Sequence, residues 1–158
     1  MSAVRLGIVS DNHGLVRPEL AKALKGVHRI LHLGDVGGGG VLKELEEIAP
    51  VHAVCGNVDV SGAAAELPET DVLIYAGHYL YLLHDLKQLS LNPAVAKFSV
   101  VLSGHTHKPL IEKRRGVLYL NPGSCGPRRF LLPVTCAMLR LKEGAEPEVE
   151  IITLLESE

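Results

Sequence analysis

The sequence has no long apolar run and few cysteines, and each of these absences excludes a class of protein. No stretch of its 158 residues approaches the roughly 20 consecutive apolar residues that a membrane-spanning helix requires. The N-terminus leads directly into an apolar segment without the pattern of a signal peptide, so we expect a cytoplasmic protein that is not bound to a membrane. The three cysteines, Cys55, Cys125 and Cys136, have no C-x-x-C spacing, which argues against a disulfide framework and against a thiolate zinc site.

A strong net charge is also absent. The formal charge of −2 provides no extended positive field for binding a polyanion, so we expect a small substrate and no binding of duplex nucleic acid. The length suits one domain, and no linker, low-complexity tract or internal repeat interrupts it. We therefore predict a single domain over residues 1–158, and a homo-oligomer remains open.

The first part of the chain alternates short apolar runs with segments of helical spacing. The apolar runs cover 6–9, 28–33 and 51–55, and the helical spacing covers 18–24 and 41–48. Three strands separated by two helices predict a parallel sheet with helical crossovers.

After about residue 61 the pattern changes to strands in pairs. We predict hairpins from 71–75 with 79–83 and from 110–112 with 117–120, a helix near 89–97, a strand over 98–102, and a last pair from 134–141 with 148–155. So many strands predict an α/β fold in which two packed β-sheets are flanked by helices.

The strongest local signal for chemistry is the segment Ser103-Gly104-His105-Thr106-His107, which follows the apolar run 98–102. Two imidazoles one residue apart, after a glycine that permits a tight turn, can direct two nitrogen ligands at one point. An isolated pair of this kind also occurs in solvated loops, so the rest of the sequence has to decide between the two interpretations.

Five predicted strands end directly at side chains that can bind a metal ion. They are Asp11 and His13, then Asp35, then Asn57, then His84, and finally His105 and His107. The carboxyl ends of strands in α/β sheets form a common ligand-binding edge, so these side chains are expected to meet. Four imidazoles, two carboxylates and one amide exceed the needs of a single tetrahedral zinc and suit two divalent ions, with Asp35 as the expected bridge.

These motifs, in the order D-x-H, G-D, G-N, H and G-H-x-H, resemble the calcineurin-like metallophosphoesterases. The segment Gly56-Asn57-Val58-Asp59, and Asn121-Pro122-Gly123-Ser124 followed by Pro127-Arg128, are more similar to the small bacterial and archaeal phosphodiesterases of that family. The retromer scaffold subunit is similar to the same subgroup. The resemblance covers residues 4 to about 130 and implies a four-layer αββα sandwich.

The resemblance also implies a division of the ligands between two metal ions. One ion would be held by Asp11, His13, Asp35 and His107, and the other by Asp35, Asn57, His84 and His105. Two ions about 3.5–4 Å apart can hold a bridging hydroxide that attacks phosphorus, so we predict a dinuclear metal-dependent phosphodiesterase with a small phosphoester substrate. Manganese is the first expectation for the metal, with iron, zinc, nickel or cobalt as alternatives. A phosphomonoesterase, or a non-enzymatic metal-binding scaffold for protein interactions on the same fold, are the alternative functions.

Two positions depart from the family pattern. The histidine that commonly follows the G-N pair and is proposed to protonate the leaving group is replaced by Val58, and His84 is followed by Asp85. Because valine cannot donate a proton, Asp59 and His78 become the candidate donors. We therefore count Asp35, Asn57, His84 and Asp59 as the candidate catalytic residues.

Three further residues have open roles. His32 is expected to be a hydrogen-bonded core histidine, with a role in supporting the metal ligands as the alternative. Arg128 and Arg129 are candidates for binding a phosphate in a bidentate manner, or else form surface salt bridges.

Overall fold

The computed structural model describes residues 3–38 and 40–156 as two five-stranded sheets with few helices. In chain order the elements are β1 (Val4–Val9), α1 (Pro18–Ala23), β2 (Arg29–His32), α2 (Val41–Glu46), β3 (Val51–Ala53), α3 (Gly62–Ala65), β4 (Thr70–Tyr75), β5 (His78–Leu83), a 3-10 turn (Leu86–Gln88), β6 (Val100–Leu102), β7 (Leu110–Arg114), β8 (Val117–Asn121), β9 (Val134–Leu141) and β10 (Glu148–Leu155). None of the helices in these two ranges is long and apolar enough to cross a membrane.

The first sheet has the strand order β10-β9-β1-β2-β3. Strands β1, β2 and β3 are parallel and are connected through α1 and α2, which confirms the prediction made from the alternating pattern. Strand β9 runs antiparallel to β1 and pairs with β10, so the predicted C-terminal strand pair extends this sheet.

The second sheet has the order β4-β5-β6-β8-β7, with β5, β6 and β8 parallel. Both predicted hairpins are present, β4 with β5 and β7 with β8. Their two-residue turns, Ala76-Gly77 and Arg115-Gly116, have positive φ at both positions, as type I′ turns require.

The main core lies between the two sheets, as predicted. Its buried side chains come from both sheets, for example Leu6, Ile8 and Leu31 from the first and Leu80, Leu102 and Leu120 from the second. A second apolar cluster packs α1 and α2 against the outer face of the first sheet. The outer face of the second sheet is covered by the segment 86–98 through Leu86, Leu89 and Phe98.

The helix predicted near 89–97 is wrong. The structure has a 3-10 turn at Leu86–Gln88 and then only turns before β6. Pro93 provides no N–H for a helical hydrogen bond, and the side chain of Asn92 accepts hydrogen bonds from the N–H groups of Ala94 and Val95. A turn forms over 93–97, and Lys97, with φ +65, ends it.

Candidate metal centre

The structure brings all seven predicted metal ligands to one edge of the molecule. They follow the carboxyl ends of β1, β2, β3, β5 and β6, so they come from both sheets. Backbone hydrogen bonds hold the loops together: Asp11 N–H donates to Gly34 O, and Gly104 N–H donates to His84 O. These bonds tie the loops that carry the ligands to one another at this edge.

A first group consists of Asp11, His13 and His107, whose ligand atoms lie within 4.8 Å of one another. Asp11 Oδ1 is 3.5 Å from His107 Nε2 and 3.7 Å from His13 Nε2. The two imidazole nitrogens are 3.4 Å apart. Two ligands bound to one ion at about 2.1 Å are themselves separated by about 3.0–3.4 Å, so these spacings are close to those of a shared cation.

A second group consists of Asp35, His84 and His105, again within 4.8 Å. Asn57 joins this group, because its Oδ1 lies 3.0 Å from His84 Nε2 and 3.2 Å from His105 Nδ1. His84 Nε2 and His105 Nδ1 are 3.3 Å apart.

Asp35 lies between the two groups. Its Oδ2 is 3.2 Å from His84 Nε2 in the second group and 3.7 Å from His13 Nε2 in the first. Its Oδ1 accepts a hydrogen bond of 3.0 Å from the backbone N–H of Val58, which fixes the carboxylate plane. One oxygen of Asp35 is therefore within reach of both groups.

The chemistry of the donor atoms fits divalent metal ions. His84 Nδ1 donates to Leu33 O at 2.7 Å, so its Nε2 presents a lone pair toward the oxygens of Asn57 and Asp35. Acceptors that face one another need a cation between them. Asp11 Oδ1 is buried and has no hydrogen-bond partner in the described part of the chain, so its lone pairs are also available. Imidazole, carboxylate and amide oxygen together suit manganese, iron, cobalt, nickel or zinc.

The backbone of these loops is strained at the ligands themselves. Nine non-glycine residues within 3–38 and 40–156 have positive φ, and five of them are candidate ligands: Asp11, His13, Asp35, His105 and His107. Such conformations are unfavourable for residues with a Cβ and are concentrated at functional sites. This concentration supports a functional role for the centre independently of the side-chain distances.

Two glycines allow the loops to approach closely. A Cβ at Gly104 would lie 2.0 Å from Ser10 Oγ, and one at Gly56 would lie 2.3 Å from the N and Oδ1 of Asp35. Any larger residue at either position would push the loops apart, and the ligands with them.

Burial and neighbouring charges shift the ionisation of the ligands. Burial raises the pKa of Asp11, against the lowering effect of a 2.7 Å hydrogen bond from Ser10. For Asp35 burial acts in the same direction, but the neighbouring His84 and the hydrogen bond from Val58 N–H outweigh it and hold the pKa at about 2. Burial, together with the positive charge of Arg129, lowers the pKa of His107 to about 4, so this imidazole is neutral and able to bind a metal at neutral pH.

The structure places His32 next to the loops of the metal centre. His32 is fully buried, its Nδ1 accepts a 3.0 Å hydrogen bond from Gly34 N–H, and its Nε2 donates to Asn12 Oδ1 at 2.7 Å. Asn12 lies between two candidate ligands, and Gly34 precedes a third. His32 is thus both a core histidine and a support for two ligand loops.

Asn121 was not identified as a functional residue from the sequence. It ends β8, and its Nδ2 donates to Gly104 O at 3.0 Å and to Thr106 Oγ1 at 3.2 Å. The segment that begins at Asn121 therefore supports the loop of His105 and His107. The signal that could have identified Asn121 is its position as a polar residue at the end of a sixth apolar strand, after the five that end at the predicted ligands.

The two candidate proton donors, Asp59 and His78, lie in different parts of the structure. Asp59 is near the centre but is 7% exposed, and its two oxygens accept hydrogen bonds from the backbone N–H groups of Val36, Gly37 and Gly56. His78 is at the beginning of β5, whereas His84 follows its end, and the His78 ring contacts Ser99 and Lys142. His78 is thus excluded from the site, because five further residues of extended strand separate it from the metal edge.

The two arginines also differ. Arg128 donates to Leu132 O at 3.2 Å and so closes its own loop. Arg129 is exposed, has no ion-pair partner in the described ranges, and is close enough to His107 for its charge to act there. Of these two arginines, Arg129 is the candidate for contacting a ligand at the centre.

Comparison with known proteins agrees with this fold. A model of the calcineurin-like phosphoesterase superfamily domain matches residues 4–144. The chain is 33% identical over 159 aligned positions to a probable metallophosphoesterase of Methanothermobacter thermautotrophicus, covering 93% of this chain and 91% of the relative. It is 29% identical over 143 positions to a phosphodiesterase of Methanocaldococcus jannaschii, covering 77% and 84%.

The fold also matches the solved structure of Vacuolar Protein Sorting 29 from Cryptosporidium parvum. The TM-score is 0.77 at 17% identity, over 99% of this chain and 100% of that chain. Two packed mixed sheets with candidate metal ligands at one edge define the metallophosphoesterase fold. The chain belongs to the calcineurin-like phosphoesterase superfamily, whose members depend on metal ions.

Proposed function

We propose that this protein is a dinuclear metal-dependent phosphoesterase that hydrolyses small phosphodiesters. The observation that carries the proposal is the position of Asp35 Oδ2, within 3.7 Å of a nitrogen in each ligand group. A carboxylate oxygen in this position suits a bridge between two ions. Asp11, His13 and His107 would complete one site, and Asn57, His84 and His105 the other.

When bound, two such ions would polarise the phosphoryl group and lower the pKa of the attacking water. The chain's own residues position the ligands and neutralise charge. Leu33 O holds the His84 ring with its Nε2 toward the centre, and Val58 N–H holds the carboxylate of Asp35. Arg129 would add positive charge for the substrate phosphate on the side of His107.

Protonation of the leaving group is the weak part of this site. The Val58 side chain is 43% exposed and cannot donate a proton, and both Asp59 oxygens are occupied by backbone N–H groups. We therefore assign Asp59 to holding the loops of Asp35 and Asn57. Solvent is left to protonate the leaving oxygen, which favours phosphodiesters with acidic leaving groups.

The test begins with metal-free protein reconstituted separately with manganese, iron, zinc, nickel and cobalt. We expect two ions per chain by elemental analysis, manganese to give the highest turnover, and faster hydrolysis of bis(p-nitrophenyl) phosphate than of p-nitrophenyl phosphate. Asp35→Asn should lower turnover by more than about 100-fold and weaken the second ion, because it reduces the charge of the bridge. The exposed β10 residue Glu148 provides the control, and Glu148→Gln should behave as wild type.

Two outcomes would redirect the proposal. A preference for p-nitrophenyl phosphate would identify a phosphomonoesterase. If fully metal-loaded protein hydrolyses neither compound, the enzyme proposal fails, and a metal-binding scaffold, favoured by the fold match to Vacuolar Protein Sorting 29, replaces it.

A further inference from the structure

A cavity of about 460 Å³ opens directly beside the second ligand group. Asn57, His84 and His105 form one of its walls, so a group in the cavity would touch the metal centre. Arg129, whose charge acts on His107 of the first ligand group, does not line this cavity. A phosphate bound at the second ligand group would lie beside the cavity, so one of its substituents can enter it. We call this space the side cavity.

The floor of the side cavity is apolar and its rim is polar. Tyr81 and Leu83, both buried, lie at the floor on β5. The rim is formed by the 3-10 turn after β5 and by the segment that enters β4. Asp85 caps that turn through Oδ1, which accepts the N–H of Lys87 at 3.1 Å.

The fixed charges of the side cavity are all negative. Asp85 and Glu69 line it, and no lysine or arginine does so among the described residues. Asp85 Oδ2 lies 3.9 Å from His105 Nε2, at the boundary with the metal centre. The remaining thiol, Cys55, stays neutral because burial and then the charges of Glu69 and Asp59 raise its pKa. Away from the metal centre, a negatively charged substituent would meet two carboxylates and no cationic side chain among the described residues that line the cavity.

We propose that the side cavity receives an ester group of the substrate and selects a positively charged group over a negatively charged one. The inference rests on the proposed phosphoesterase function and specifies its substrate class as phosphodiesters of amino alcohols. An ammonium group is attracted by carboxylates, and Asp85 and Glu69 supply them at the rim of the cavity. A second phosphate or a carboxylate on the ester group is disfavoured for the same reason.

Both carboxylates are in contact with solvent, so the selectivity they provide is moderate. Exposed charge pairs are screened by water and salt, and each is worth a factor of only about two to five in binding. Two such carboxylates give a preference of about tenfold for a cationic over an anionic ester group. The preference should decline as salt is added.

The experiment uses p-nitrophenyl phosphodiesters whose second ester group ends in a trimethylammonium, a hydroxyl or a carboxylate group. With manganese-loaded wild type we expect kcat/KM to fall in that order, by about tenfold from first to last. Glu69→Lys should abolish or reverse the order, because it changes the rim charge by two units. The matched control is Glu66→Lys, an exposed glutamate that does not line the side cavity and should leave the order unchanged.

A binding measurement separates this inference from the proposed function. Calorimetry on manganese-loaded protein should give phosphocholine about tenfold tighter binding than 2-phosphoglycolate, and Glu69→Lys should remove the difference. Equal kcat/KM for all three esters, with no effect of Glu69→Lys, would overturn the inference and leave the phosphoesterase intact. Absence of all hydrolysis, with the binding preference retained, would overturn the phosphoesterase and leave the side cavity as a ligand site.

Discussion

The fully buried His32 should make the stability of this protein depend on pH. Gly34 N–H donates to its Nδ1, so the single ring proton is on Nε2, where it is donated to Asn12. A second proton would place an N–H against the N–H of Gly34, away from water. Burial, and then the charge of His84, lower the pKa of His32 to about 3.

The sign and size of the effect follow from the difference between the folded and unfolded chains. An unfolded histidine titrates near pH 6.5, so the unfolded chain binds the proton more readily at every pH between that value and about 3. Stability due to this group is therefore complete above about pH 6.5 and is lost as the pH falls. At 1.36 kcal/mol per pH unit, lowering the pH from about 8 to about 5 costs about 2 kcal/mol.

Urea unfolding of metal-free protein at these two pH values measures the effect, with a chelator present so that metal release does not contribute. His32→Gln removes the titrating group and should lose about 2 kcal/mol less than wild type between the two conditions. The exposed His28 provides the control, and His28→Gln should retain the wild-type loss. An identical pH dependence for His32→Gln and wild type would show that the buried ring accepts a proton in the folded state, contrary to the hydrogen-bond pattern.

Three further predictions concern the residues around the metal centre. Asp59→Ala leaves three backbone N–H groups without an acceptor and should lower the free energy of unfolding by about 2 kcal/mol or more and metal affinity by about tenfold, measured by urea unfolding and calorimetry. Arg129→Ala should raise KM for bis(p-nitrophenyl) phosphate about tenfold. Arg128→Ala should instead lower Tm with little change in KM, because Arg128 closes its own loop. Equal effects of the two variants on KM would refute the different roles of the two arginines. Wild-type hydrolysis should accelerate steeply with leaving-group acidity in a series of aryl phosphodiesters, and Val58→His should flatten the dependence; a flat wild-type profile would reveal an efficient proton donor.

Much of the fold was predictable because the local patterns are strong. The helical spacing after Pro18 can be recognised from neighbouring residues alone. The same is true of the alternation of apolar and polar residues on both sides of the Ala76-Gly77 and Arg115-Gly116 turns. The segment 89–97 has apolar residues at comparable spacing, yet it does not form a helix. There Asn92 and Pro93 start a new helical turn in the middle of the predicted helix, and Lys97, with φ +65, ends it after one turn.

The candidate ligands were also predictable, because parallel strands deliver whatever follows them to one edge. The residues that hold the ligand loops in place were not predictable from the sequence. Asp59 is next to a proposed proton-donor position in the sequence, but its role depends on the direction of its oxygens toward Val36, Gly37 and Gly56, which lie on two separate loops. His78 begins β5, so the strand that follows it separates it from the edge that carries the ligands, and the sequence alone does not show this distance.

The ligand arrangement has little intrinsic stability, so the sheets have to maintain it. Lone pairs face one another across the centre, Asp11 Oδ1 is buried without a partner among the described residues, and both aspartate ligands have positive φ. Each of these features is unfavourable in the absence of a cation. The core between the two sheets offsets their cost, because most of its buried side chains belong to the strands and only Leu33 and Val54 lie just beyond a strand end. The fold should therefore survive loss of metal, unlike a zinc finger, and the centre can be pre-organised for the ions it binds.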